Sequence, residues 1–222
     1  MSSTPSVIPT PTVAGTDASH HQGVVNWPAV AEAGIVFAFV KATEGANFLD
    51  PQFSRNWAGM KDAGIIRGAY HFFRPAQSPE SQIASFVKAV GTLGAGDLPP
   101  VLDLEEAPTP HGDEWEGVPA ANRISLAMTW LNGVVSSLGR KPIVYTRRGF
   151  VELDLPGADP LSQFPLWIAH YTSAPVPRTP PIWSKWTFWQ YSETGTVNGI
   201  TGDVDLNRFN GTAADLSALA GH

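Results

Sequence analysis

Eight short apolar or β-rich runs, with helix-like segments between the earlier ones, restrict the fold of this chain more than any other feature. They are Val13–Asp17, Ile35–Ala42, Ile65–Phe73, Leu98–Glu105, Pro142–Thr146, Pro165–Tyr171, Thr187–Ser192 and Val204–Phe209. Between them, Trp27–Ala33, Pro51–Ala63, Pro79–Val90 and Ala121–Leu138 read as helices. These end at or near Gly34, Gly64, Gly91 and Gly139, where a helix C-terminus favours a residue that takes positive φ without cost. Strand and helix in alternation predict a parallel sheet, and eight strands is the number that closes a β/α barrel. After Thr146 the helical pattern fades and Ala174–Pro181 carries loop-forming prolines. The expected fold is therefore α/β, a TIM-like β/α barrel left incomplete in its second half. An open doubly wound sheet is the alternative, disfavoured because no G-x-G-x-x-G or P-loop follows an early run.

A chain of 222 residues suits one large domain. Met1–Thr12 reads as a Ser/Thr/Pro-rich extended arm (1–12), and the domain is expected over 13–222. The arm lacks the basic and apolar regions of a secretory signal, as would a chain whose leader had been removed. A net charge of −6, with 14 scattered Lys and Arg, argues against nucleic acid as a partner. No apolar run reaches the ~18 residues that span a bilayer, so no membrane partner is expected. With no cysteine there is neither a disulfide framework nor a thiolate metal site.

In a β/α barrel the chemistry sits where the strands end, so the polar residues closing each run are the candidates. Asp103 and Glu105 are the most informative pair. Side chains at i and i+2 of a strand share a face, so both carboxyls would project together beyond the apolar stem of Leu98–Leu102. Glycoside hydrolysis needs such a pair, one carboxyl held protonated and one ionised. Taken alone, D-x-E also describes a strand cap followed by a solvated loop residue. The other runs add Asp17, Lys41 and Glu44, Tyr70 and His71, Tyr145, His170 and Tyr171, Trp189 to Tyr191, and Asp205 with Asn207. Asp17 and Asp205 belong to the first and last runs, which become neighbours on closure, so four acids would converge on one mouth. His20 and His21 are adjacent and point apart on an extended segment, so no metal site and no cofactor are expected. His71 equally suits a hydrogen-bonded core histidine, whereas Lys41, after Ile-Val-Phe-Ala-Phe-Val, must be paired or stand at a wet strand end. Trp183, Trp186, Phe188, Trp189 and Tyr191 crowd one short stretch beside Gln190, a composition that suits a carbohydrate groove as well as a core.

Taken in order, Asp17-Ala-Ser-His-His-Gln-Gly23 with Trp27, Val40-Lys-Ala-Thr-Glu-Gly45, Gly68-Ala-Tyr-His-Phe72, Val101-Leu-Asp-Leu-Glu105, Pro142-Ile-Val-Tyr145, Leu166-Trp-Ile-Ala169, Trp189-Gln-Tyr191 and Val204-Asp-Leu-Asn207 resemble glycoside hydrolase family 25. These are the Chalaropsis-type lysozymes of phage, bacteria and fungi, and the motifs run from Asp17 to Phe209. The resemblance implies five β/α units followed by three strands lacking full helices. It implies cleavage of the β-1,4 bond between N-acetylmuramic acid and N-acetylglucosamine in peptidoglycan. Glu105 carries over as general acid, with Asp103, Asp17 and Asp205 as acidic companions. Tyr70, His71, Lys41, Gln190 and Trp189 fall where the sugar is expected, and Tyr145 and Tyr171 complete the expected substrate-binding set. The partner is then the bacterial glycan strand, the enzyme a monomer, and its place of action the cell wall, reached by a phage endolysin after release or by a secreted enzyme without its leader. A chitinase-like glycosidase and a non-catalytic wall-binding lectin are the alternatives.

Overall fold

The computed structural model describes residues 11–221. Eight strands close into a barrel: β1 (Thr12–Ala18), β2 (Phe37–Glu44), β3 (Ile66–Phe72), β4 (Val101–Asp103), β5 (Ile143–Arg147), β6 (Leu166–Ala169), β7 (Phe188–Gly195) and β8 (Val204–Asn210). The first five are each followed by a helix: α1 (Trp27–Glu32), α2 (Phe53–Asp62), α3 (Pro79–Val90), α4 (Ala120–Leu138) and α5 (Arg148–Asp154). A loop with one short 3-10 turn links α5 to β6, and no α-helix stands between β6 and β8. The chain then ends on α6 (Ala213–Leu219). Among the described residues no helix is long and apolar enough to cross a membrane. Of the arm expected over residues 1–12, residues 1–10 lie outside the described part, and Thr12 already pairs with Asn210 in the sheet.

Three expectations are corrected. The sheet is mixed rather than wholly parallel, because β8 runs antiparallel to both β7 and β1 and closes the barrel between them. The fourth strand is shorter than its apolar run, since Pro99 and Pro100 have no N–H to give to the ladder. Pro100 serves only as an acceptor, for the Ile143 amide at 2.8 Å. Two helices were not read from the sequence. α5 is seven residues long, too short to display a period. α6 does carry a start signal, as Thr212 and Asp215 exchange side-chain and backbone hydrogen bonds in a capping box.

Two apolar layers result. One lies between sheet and helices, and α3 and α4 pack against each other there through Phe86, Trp130 and Val134. The other fills the lower lumen with Val13, Phe37, Phe39, Val101, Ile143, Trp167, Phe188 and Phe209, and Leu216 and Ala220 from α6 and its end cover the bottom. Phe39 stacks on Trp167 with ring centroids 4.4 Å apart, and Phe188 meets Phe37 and Phe39 at 5.1 Å each. These rings fit because Gly15 and Gly68 have no Cβ; one added there would come within 2.3 Å of Phe37 and Phe39 respectively. Each such buried ring contributes about 1.5–3 kcal/mol of transfer free energy.

Candidate active site

Strand parity decides what reaches the mouth. On β1 the lumen-facing set is Val13, Gly15 and Asp17; on β4 and its continuation it is Val101, Asp103 and Glu105; on β5 it is Ile143 and Tyr145. Each strand thus carries an apolar side chain low in the lumen and a polar one nearer the mouth, two residues on in β4 and β5 and four in β1, where Gly15 stands between. β8 reaches the mouth by its N-terminal end because it runs antiparallel, which sets Asp205 directly opposite Asp17 in register. Asp205 therefore opens its strand instead of closing it.

The mouth is a cavity of about 290 Å³ lined by Asp17, Asp103, Glu105, Glu193 and Asp205 with Tyr70, Tyr145, Trp167, Tyr171, Gln190 and His21. Asp17 is fixed through one oxygen: its Oδ2 accepts from Gln190 Nε2 at 3.0 Å and from Asn207 Nδ2 at 2.6 Å. Gln190 is aligned by the Tyr145 and Tyr171 hydroxyls, both donating to its Oε1 at 2.9 Å. Asn207 is aligned by the Trp167 indole N–H, which donates to its Oδ1 at 2.8 Å. Asp103 is buried, and its Oδ1 has no hydrogen-bond partner among the described residues.

The electrostatics follow from crowding acids in a dry place. Burial pushes the Glu105 carboxyl up to about 7, opposed by the Arg147 guanidinium and assisted by the charge of Asp17. Asp205 is pushed up to about 8, first by burial and then by Asp17. Asp17 rises only to about 6, because the amides of Gln190 and Asn207 favour its ionised form against the burial that disfavours it. Asp103 stands well above the ordinary aspartate range through burial and the neighbouring Glu105. The four acids thus hold protons at pH values where exposed carboxyls have lost them.

Of the residues singled out in the sequence, Glu105, Asp103, Asp17, Asp205, Tyr70, Gln190, Tyr145 and Tyr171 all line this cavity. His71 and Trp189 do not. Each neighbours a lumen-facing residue, Tyr70 and Gln190, so the period of two turns it to the outer face of the sheet. There His71 is fully buried, bonded to the Thr43 hydroxyl at 2.7 Å and the Gln82 amide oxygen at 2.9 Å, and stacked on Trp130. Trp189 is buried as well, its indole N–H donating to the His170 carbonyl at 2.8 Å. Lys41 has lumen parity but lines an adjoining cleft, paired with Glu44 at 2.5 Å. Sequence reading passed over Trp167 and Glu193, although the spacing of Trp167 from Ala169 within β6 was available to mark it as inward. Among the described residues no cluster of three or more His, Cys, Asp or Glu side chains is arranged to hold a metal ion.

Comparison with known proteins gives one answer. The sequence model for glycosyl hydrolases family 25 matches residues 16–200. Lysozyme M1 of Streptomyces globisporus is 40% identical over 216 residues, spanning 94% of this chain and 71% of its own length. The N,O-diacetylmuramidase of Chalaropsis is 33% identical, spanning 87% of this chain and 96% of its own. The crystal structure of a bacterial lysozyme from Streptomyces coelicolor superposes with a TM-score of 0.89 at 39% identity, covering 95% of this chain and 98% of that one. The closed barrel, the acids converging on its mouth and these matches together show that the chain belongs to glycosyl hydrolases family 25.

Proposed function

We propose that this hydrolase is a muramidase acting on the glycan strands of bacterial peptidoglycan, with Glu105 as its general acid. The observation that carries the reading is the placement of Glu105 in the mouth with its carboxyl pushed up to about 7, which keeps a proton available below neutrality. Lysozyme M1 and the Chalaropsis N,O-diacetylmuramidase support the choice of substrate over chitin.

In the proposed step Glu105 gives its proton to the glycosidic oxygen as the C1–O bond breaks. Asp103 projects from the same face of the same strand, one step away, so it does not approach C1 from the opposite side. Its unpartnered Oδ1 suits the N–H of the sugar's 2-acetamido group. Held there, the acetamido oxygen attacks C1 as the leaving group departs. Water then opens the cyclic intermediate, losing its proton to Glu105 and restoring both the acetamide and the acid. Tyr70, Tyr145, Tyr171 and Gln190 shape the sugar site. A single chain closes the barrel and supplies every acid of the mouth, which supports a monomer. The bacterial cell wall is the place of action; tracking the enzyme in producing cells separates secretion from phage-driven release.

Digested peptidoglycan, reduced with borohydride and read by mass spectrometry, tests the assignment. New reducing N-acetylmuramic acid ends are expected, and Glu105→Gln should cost about 10²–10⁴ in rate with folding retained. Reducing N-acetylglucosamine ends would overturn the bond assigned, and a folded Glu105→Gln protein with wild-type rate would overturn the acid. Activity should fall as pH rises through about 7, where Glu105 loses its proton. Retention of configuration at C1, followed by NMR, is expected of the acetamido route; inversion would exclude it.

A further inference from the structure

A second cleft, about 590 Å³, opens beside the mouth and shares His21 with it. The two differ sharply in charge. Among the described residues the mouth is lined by five acidic side chains and no lysine or arginine. The cleft sets Lys41 and Arg74 against Glu44 and Glu114. Glu44 ties the two cations together, its Oε2 accepting from Lys41 Nζ at 2.5 Å and its Oε1 from Arg74 Nε at 2.8 Å. Arg74 spends a further donor on the Pro108 carbonyl at 3.2 Å, so its guanidinium is consumed within the protein. Lys41 is not consumed. Its side chain is 9% exposed, and one of the three ammonium donors serves Glu44 while the other two have no acceptor among the described residues. The Phe72 and Phe48 rings hold the ammonium in place, 4.9 and 5.7 Å from it, and Phe48 leaves an apolar surface open on the cleft wall.

A nearly buried ammonium with open donors is an anion receptor, and burial strengthens what it can offer. In peptidoglycan the muramic acid lactyl group carries a short peptide bearing free carboxylates. Such a branch finds no lysine or arginine in the mouth and finds in the cleft both an open cation and an apolar wall for its side chains. We infer that this cleft receives the carboxylate-bearing peptide branch of the wall polymer while the sugar lies in the mouth. The inference rests on the muramidase reading.

Asn47 lines the same cleft, is exposed, and holds no side-chain hydrogen bond among the described residues, so it carries a charge probe without loss of structure. The experiment compares kcat/KM of wild type, Asn47→Asp and Asn47→Lys on soluble glycan fragments with their peptides and on the same fragments after an amidase has removed them and the lactyl carboxylate this exposes has been methyl-esterified. On peptide-bearing fragments Asn47→Asp should lower kcat/KM about twofold to fivefold and Asn47→Lys should raise it by a similar factor, as expected of one added charge at a screened surface. On stripped fragments both variants should match wild type. Equal shifts on both substrates would overturn the inference and place the glycan itself in the cleft, and no shift on either would leave the cleft without a ligand. A wild-type enzyme that cleaves neither would overturn the muramidase reading beneath it.

Discussion

The floor and the mouth of the barrel lumen are built by the same strands, two to four residues apart, and are chemical opposites. Val13, Val101, Phe188 and Phe209 lie below Asp17, Asp103, Gln190 and Asn207 on their respective strands. Below, buried rings pack against one another. Above, acids with carboxyls pushed up to about 6, 7 and 8 share a small cavity, an arrangement that opposes folding at neutral pH. The difference shows how the site is held. A mouth whose members repel one another needs a foundation that resists spreading, and the aromatic floor provides it through one traceable contact. Phe39 stacks on Trp167, whose indole N–H holds Asn207, whose amide holds Asp17.

Cutting that contact at its base is expected to have the largest effect. Phe39 is fully buried, and Phe39→Ala should lower unfolding free energy by about 3–5 kcal/mol in a denaturant titration. Because the loss frees Trp167, kcat of the remaining folded enzyme should fall on the order of 10-fold. Full kcat in a destabilised but folded variant would separate floor from mouth and break the comparison.

Much of this was legible in the sequence, and the failures have physical causes. The alternation of apolar runs and helices gave the barrel, because each strand buries its stem and each of the first four helices ends beside a glycine. Asp103 and Glu105 stood out because carboxyls at i and i+2 project together beyond an apolar stem, and it was the other runs, not the D-x-E alone, that set aside a strand cap followed by a solvated loop residue. The same period of two, applied strictly, separates Tyr70 from His71 and Gln190 from Trp189. Adjacent residues on a strand cannot both face the lumen, and reading each motif as a block concealed this. The orientation of β8 was not legible: nothing in Val-Asp-Leu-Asn-Arg-Phe marks a strand as antiparallel, and only pairing with β1 and β7 shows that Asp205 sits at the mouth by its strand's beginning.

His71 sharpens the contrast from the outer face of the sheet, because its titration has the opposite sign to that of the mouth acids. Burial lowers it to about 4, so between that value and about 6.5 the native state binds fewer protons than the unfolded chain. Its contribution to stability is therefore full above about 6.5 and lost as pH falls toward 4. His71→Asn should cost about 1–3 kcal/mol at pH 7, through the bonds to Thr43 and Gln82, and less at pH 4.5, where the wild type already pays to keep the ring neutral. A cost that grows on acidification would mean that His71 is charged in the native protein.

The smallest effect expected is also the only stabilising one. In the folded protein Asp205 holds its proton up to about 8, while in the unfolded chain it gives it up near the ordinary aspartate value of 3.8. Between those values the native state binds the extra proton, so stability is fullest at low pH and falls as pH rises through the window. Asp205→Asn keeps the shape of the neutral acid and cannot ionise, so its Tm should equal that of wild type near pH 4 and exceed it increasingly up to about pH 8. The gain is bounded because Asp205 is only half-buried and solvent screens much of its charge. At roughly 2–4 °C per kcal/mol for a domain of this size, calorimetry at a series of pH values resolves it. The same variant should lose activity, since the carboxyl facing Asp17 goes with it, and a more stable, less active protein is what a mouth built against its own stability predicts. A Tm difference that is flat with pH, or negative at pH 8, would show that the acids of the mouth do not strain the fold, and the contrast with the floor would then be one of composition alone.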